Sequence, residues 1–218
     1  MNVVEIFKSI EGEGKRAGLP CTFIRLFGCN LRCKYCDTPY GWSYEYKNDA
    51  KEMSADDIIA AVDALNVPNV TITGGEPLLQ DHNEMMCLLS ALSFKGYDIN
   101  VETNGTMMPL LHSLSNIFYT VDYKTDASGM SSRMDMNVMK SLSGKDVLKF
   151  VVGSIDDCKQ AKCIIDSIKT EAAVYFSPVF GMIEPKDIVK FLLDNNMYNC
   201  HVQVQLHKII WPADMRGV

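Results

Sequence analysis

Three cysteines, Cys29, Cys33 and Cys36, are spaced four and three residues apart in the run Gly28-Cys29-Asn30-Leu31-Arg32-Cys33-Lys34-Tyr35-Cys36-Asp37-Thr38. The run has no regular period and reads as a loop. Thiolates converging from one loop suit a soft metal centre, either iron–sulfur or zinc. A structural zinc site closes on four protein ligands, whereas a reactive centre keeps a position open. No fourth cysteine or histidine stands nearby, so an iron could be left to chelate the amino and carboxylate groups of a small molecule. Three other readings stand beside this one: a zinc knuckle completed by Cys21 or a distant histidine, an electron-transfer cluster, and cysteines with no shared role.

The other five cysteines of the eight (21, 87, 158, 163 and 200) sit in apolar or helical surroundings and are expected to behave as small buried hydrophobes. Disulfides are not expected, because clustered cysteines in a reducing compartment more often bind metal or do catalysis. About 40 residues beyond the loop stands Thr73-Gly74-Gly75-Glu76-Pro77. Taken alone it is a turn. Its glycines would let backbone approach a ligand closely.

These loops need elements to hold them. Strand candidates are 22–27, 70–73, 99–102, 118–123, 147–152, 173–176 and 202–206. Helix candidates lie near 54–65, 81–95, 107–115, 156–169 and 185–196. Ser54 can cap the first, with Asp57 three residues on to bond back, and Pro185 suits the first turn of the last. Strand–helix alternation of this kind predicts an α/β fold with a parallel sheet and right-handed crossovers. A complete eight-fold barrel takes about 250 residues. At 218 residues, the expectation is a single domain over 1–218, a partial or reduced (β/α) barrel of about six parallel strands. In that architecture the site lies at the carboxyl ends of the strands.

The formal net charge of −6 argues against nucleic acid, whose binding rests on neutralising phosphates. No apolar run approaches the roughly 18 residues of a membrane span. The start, Met1-Asn2-Val3-Val4-Glu5, lacks a basic segment followed by an apolar one, so a cytoplasmic protein is expected.

Cys-x3-Cys-x2-Cys with Tyr35 before the last cysteine, followed by the Gly-Gly-Glu element, resembles the radical S-adenosylmethionine superfamily. Within it, the chain resembles the 7-carboxy-7-deazaguanine synthase family nearly end to end. The likeness runs through Ser9-Ile10-Glu11-Gly12-Glu13-Gly14, Phe23-Ile24-Arg25-Leu26-Phe27-Gly28-Cys29, Glu102-Thr103-Asn104-Gly105, Asp122-Tyr123-Lys124 and Gln205-Leu206-His207-Lys208. Glu11 and the Asp-Tyr-Lys run depart from the Gln and Ser-Pro-Lys of other relatives, which suggests a sub-branch.

The resemblance implies a lyase that converts 6-carboxy-5,6,7,8-tetrahydropterin to 7-carboxy-7-deazaguanine with loss of ammonia, in queuosine and 7-deazapurine biosynthesis. It implies a 4Fe–4S cluster on Cys29, Cys33 and Cys36, and S-adenosyl-L-methionine held by Tyr35, Cys36, Asp37, Gly75, Asp122, Tyr123, Lys124 and Ser177, Pro178, Val179 and Phe180. It also implies Mg²⁺ on Thr38. For the pterin it implies Ile10, Glu11, Gly12, Arg25 and Thr73, with Glu13 nearby and Arg25 suited to bidentate capture of a carboxylate. His207 and Lys208 fit either a site or a charged strand end. A low-potential donor (flavodoxin or ferredoxin) and a homodimer complete the expectation. Competing functions are an activating enzyme for glycyl-radical proteins and a zinc- or cluster-binding interaction module.

Overall fold

In the computed structural model, which describes residues 1–218, nine strands form one open sheet. The chain runs β1 (Asn2–Ile10), β2 (Pro20–Leu26), β3 (Lys51–Glu52), α1 (Ala55–Leu65), β4 (Asn69–Gly74), α2 (His82–Phe94), β5 (Asp98–Thr103) and β6 (Ile117–Tyr123). It continues through α3 (Met136–Ser141), β7 (Val147–Val152), α4 (Ile155–Ile168), β8 (Ala173–Pro178), α5 (Pro185–Asp194), β9 (Cys200–Val202) and α6 (His207–Ile210). The sheet order is β3-β1-β2-β4-β5-β6-β7-β8-β9. From β2 through β9 all neighbours are parallel, whereas β1 pairs antiparallel with β2 and β3. This is the open relative of a closed barrel. No helix is long and apolar enough to cross a membrane.

Side chains alternate across a strand, and here the two faces differ in chemistry. On β6, Ile117, Tyr119, Val121 and Tyr123 are buried in the apolar core. Val70 and Ile72, Ile99 and Val101, and Leu148 and Phe150 occupy the same face of their strands and join that core with α1, α2, α4 and α5. Burying one such side chain contributes about 1.5–3 kcal/mol. The opposite face carries Thr73, Glu102, Asp122, Lys149 and other polar groups, and lines the interior. Helices cover one face only, and the other becomes the site.

Several elements match the sequence reading. Ser54 Oγ accepts from Asp57 N at 3.2 Å, and Asp57 accepts back from Ser54 N at 3.1 Å, so α1 starts with the expected capping box. Four helices fall where periodicity placed them, but 107–115 is irregular. Pro109 lacks an amide donor there, and Leu111 takes a left-handed φ of 49°. Tyr119 Oη then holds that segment, accepting from Leu110 N at 2.8 Å and donating to Leu110 O at 2.6 Å.

The last strand also differs. Pairing with β8 covers only Cys200–Val202, not 202–206. Beyond it the chain turns across the open edge. Gly14 N donates to Gln203 Oε1 at 2.7 Å, and Leu206 N donates to Gly12 O at 3.0 Å. The β1–β2 loop thus reaches the far end of the sheet. Strand pairing leaves the barrel open, and this loop bridges the gap. β1 had no period-2 signal to announce it; it forms along the free edge of β2. α3 was also unforeseen: six residues are too few to show a helical period, and Asp135 starts it by accepting from Asn137 N.

Candidate active site

A cavity of about 290 Å³ opens at the carboxyl ends of the parallel strands, and Cys29, Cys33 and Cys36 all line it. Two glycines set the loop that carries them. A Cβ on Gly74 would lie 2.3 Å from Leu26 O, and one on Gly75 would lie 2.0 Å from Gly28 O. With those side chains absent, Gly75 N donates to Leu26 O at 2.9 Å and Glu76 N to Gly28 O at 2.7 Å. Gly75 does line the cavity, yet the close approach that demands glycine is to the backbone of β2 and the cysteine loop.

Glu76 completes the lock, and sequence reasoning gave it no role. It is fully buried and accepts from Leu78 N (3.0 Å), Thr103 Oγ1 (2.7 Å) and Asn104 N (2.7 Å). Burial raises its carboxyl pKa, against the lowering effect of those bonds. Asn104, fixed in this way, donates to Asn30 Oδ1 at 2.8 Å and stands 3.7 Å from Cys29 Sγ. The Glu102–Gly105 run could have signalled this, because a short polar run after a strand marks a loop in the site.

The sulfurs suit an iron–sulfur cluster. Leu31 N lies 3.4 Å from Cys29 Sγ, and Trp42 Nε1 donates to Cys36 Sγ at 3.3 Å. Such donors stabilise metal-bound thiolates. Without metal, burial pushes the Cys33 thiol up to about 11 and the Cys29 thiol upward too, and neighbouring cysteines add to both shifts. No three ligating side chains gather around one point. Each thiolate of a cluster takes a different iron, so convergence on a single ion is not required.

Cys21 faces away from this loop. It is fully buried among Arg16, Thr22 and Thr71, its Sγ 3.4 Å from Thr71 Oγ1. The zinc knuckle completed by Cys21 is therefore not what this chain builds. Cys158 is buried as expected, whereas Cys87 and Cys163 are exposed, because each falls on the solvent side of its helix.

The residues expected around the cofactor divide. Tyr35, Asp37, Asp122, Lys124, Pro178, Val179 and Phe180 line the cavity, as does Thr38, the expected Mg²⁺ ligand. Tyr35 Oη donates to Val151 O at 3.3 Å. Asp37 pairs with Lys208 at 2.7 Å and accepts from Thr38 Oγ1 at 3.1 Å. Burial works against ionisation of Asp37, but Lys208, Thr38 and Lys149 together outweigh it and hold the carboxyl at about 2. Tyr123 belongs elsewhere: strand alternation turns it outward onto Phe150, ring centroids 5.4 Å apart. Ser177 is also off the cavity. It lies one layer behind, donating to Glu13 Oε1 at 2.7 Å.

The residues expected at substrate all reach the cavity: Ile10, Glu11, Gly12, Arg25 and Thr73, together with Glu13. Glu11, Arg25 and Thr73 are already engaged. Glu11 is 2% exposed, pairs with Arg16 at 2.8 Å and accepts a bond from Thr71 Oγ1. Burial raises its carboxyl pKa, with Glu102 adding to the effect. Arg25 gives its Nε to Glu5 at 2.7 Å and lies over Tyr40. Thr73 Oγ1 donates to Glu102 Oε2 at 2.7 Å. His207 stands against Gly12, and burial lowers its pKa. Glu102, Lys149 and Trp42 also line the cavity, and none had been assigned a role. The signal missed was strand alternation: Glu102 shares a face with Asn100, and Lys149 interrupts an apolar strand.

Comparison with known proteins agrees with this arrangement. Residues 23–126 match the Radical SAM superfamily. The chain is 42% identical to the 7-carboxy-7-deazaguanine synthase of Clostridium acetobutylicum, covering 99% of this chain and 98% of that protein. It is 37% identical to the enzyme of the same name from Chlorobaculum tepidum, over 100% and 97% of the two chains. Among solved structures, QueE from Escherichia coli superposes with a TM-score of 0.74 at 22% identity, over 94% and 93% of the chains. That last likeness speaks for the fold.

Proposed function

Because this chain belongs to the 7-carboxy-7-deazaguanine synthase family of the radical S-adenosylmethionine superfamily, we propose that it turns 6-carboxy-5,6,7,8-tetrahydropterin into 7-carboxy-7-deazaguanine. The overall change expels one ammonia and is otherwise redox-neutral, which lets the cofactor be regenerated. A 4Fe–4S cluster and S-adenosyl-L-methionine supply the radical chemistry when bound; the protein contributes position and dryness.

The chain's own residues have these roles. Cys29, Cys33 and Cys36 hold the cluster. Tyr35, Asp37, Gly75, Asp122, Lys124 and Pro178 to Phe180 surround the cofactor. Ile10 to Glu13 and Thr73 meet the pterin, whose amino edge donates to an acidic side chain. Arg25, already anchored through Nε by Glu5, offers its remaining donors to the substrate carboxylate. Thr38 supplies a hydroxyl oxygen to Mg²⁺, a hard cation that suits oxygen ligands. Electrons come from a low-potential flavodoxin or ferredoxin, and the working form is a cytoplasmic homodimer.

One observation carries the reading: the cysteine loop, Gly75 and the Ile10–Glu13 loop all line a single cavity. Anaerobic reconstitution with iron and sulfide, followed by mass analysis of products from the carboxylated pterin, tests it. A brown protein yielding the deazaguanine supports it. A colourless protein retaining one zinc sinks it. S-adenosylmethionine cleavage that needs a protein partner, with no pterin turnover, points instead to an activating enzyme.

A further inference from the structure

Lys149 projects from β7 into the barrel and belongs to none of the motifs above. Its Nζ lies 3.3 Å from Glu13 Oε2 and 3.7 Å from Asp122 Oδ2. On one side, Glu13 continues through Oε1 to Ser177 Oγ at 2.7 Å and Gln203 Nε2 at 3.4 Å. On the other, Asp122 Oδ2 accepts from Lys124 Nζ at 2.8 Å, while its buried Oδ1 has no partner. A continuous polar chain therefore joins the loop after β1 to β6, β7, β8 and the segment after β9.

The charges make this chain interdependent. Burial would neutralise a lone ammonium at position 149, but Glu13, Asp122 and Glu102 outweigh burial and keep it cationic. Burial likewise opposes ionisation of Glu13; Lys149 first, then Ser177, reverse that and leave the carboxyl below its usual range. Asp37 and His207 are the other groups acting on Glu13, the former raising its pKa and the latter lowering it. Lys149 is the strongest of the groups that favour its charge.

We infer that Lys149 is a positioning residue for the proposed reaction: it fixes the Glu13 carboxylate at the cavity wall and ties that pterin-facing loop to Asp122 on the cofactor side. The inference rests on the proposed function. A purely structural lysine would not set the protonation of a substrate-facing group, and that difference is measurable.

The test is equilibrium binding of pterin-6-carboxylate, a fluorescent oxidised analogue, to reconstituted protein between about pH 3.5 and 8, a window that reaches below the ordinary carboxylate range. Lys149→Met should weaken binding by about tenfold or more and move the acidic limb to higher pH, because Glu13 loses its counter-ion. Glu13→Gln should abolish that limb in either background. Lys149→Arg keeps the charge without the compact ammonium, so the limb should stay in place while affinity falls. The Arg variant carries the test if the Met variant does not fold; unchanged affinity in it overturns the role. An unmoved limb in a folded Met variant overturns it equally. A wild-type protein that stays colourless or binds no pterin overturns the proposed function, and this inference with it.

Discussion

Gly12 and His207 touch across the gap in the sheet: a Cβ on Gly12 would lie 2.1 Å from His207 Nδ1. The glycine near the start of the β1–β2 loop thus makes room for a histidine from the last helix. The adjacent bond from Leu206 N to Gly12 O places the contact where strand pairing stops.

Gly12→Ala should therefore displace His207 and loosen this closure. Overpacking of this kind costs about 1–3 kcal/mol. Pterin affinity should fall, and adding His207→Ala should recover part of the lost stability, because residues in contact are energetically coupled. A double-mutant cycle read by thermal unfolding checks this; strictly additive effects would contradict the contact.

Glu76→Ala should release Asn104 from the cysteine loop. Three donors lose their acceptor inside the protein, for a cost of about 3 kcal/mol. Iron content after reconstitution should drop more than stability alone explains. Glu76→Gln, which keeps an acceptor oxygen, should lose less of both.

Cys21→Ser should leave the cluster intact, whereas Cys33→Ser should not. The Cys21 thiol sits among Arg16 and Thr71, away from the loop. Visible absorption and an iron count near the four of a full cluster separate the two variants. Equal loss in both would return Cys21 to the ligand set.

Thr38→Ala should abolish Mg²⁺ stimulation of turnover while the cluster spectrum stays unchanged. The hydroxyl already donates to Asp37 at 3.1 Å, which leaves its oxygen lone pairs for a cation. Titration of activity with MgCl₂ decides; an unaltered Mg²⁺ response removes Thr38 as a ligand.

Acid should destabilise the fold through Asp146. It is fully buried, accepts from Ser143 N and Tyr119 N, both at 2.9 Å, and meets His112 Nε2 at 2.6 Å. Burial opposes its ionisation, yet these bonds prevail and hold its pKa below the ordinary value. A folded-state pKa lower than the unfolded one adds stability that is complete above about pH 4 and fades as pH drops further. Asp146→Asn should flatten that acid dependence and cost about 1–3 kcal/mol near neutrality. Unfolding curves at several pH values would measure both.

The sequence by itself determined the chemistry and the broad architecture. Cys29, Cys33 and Cys36 are close in the chain, so their shared loop follows from covalent spacing alone. Strands such as 118–123 and the Ser54 cap are likewise local, because alternation and capping act over a few residues. Contacts between distant segments were decided only by the tertiary structure. Tyr123 and Asp122 are neighbours in one motif, yet the pleat sends one to the core and the other to the cavity. Lys149 gains its meaning from Glu13, 136 positions away, and Gly75 from the backbone at Gly28. The barrel's gap and its closure by the 11–14 loop were equally hidden, since which sheet edges approach each other depends on how seven parallel strands curl together.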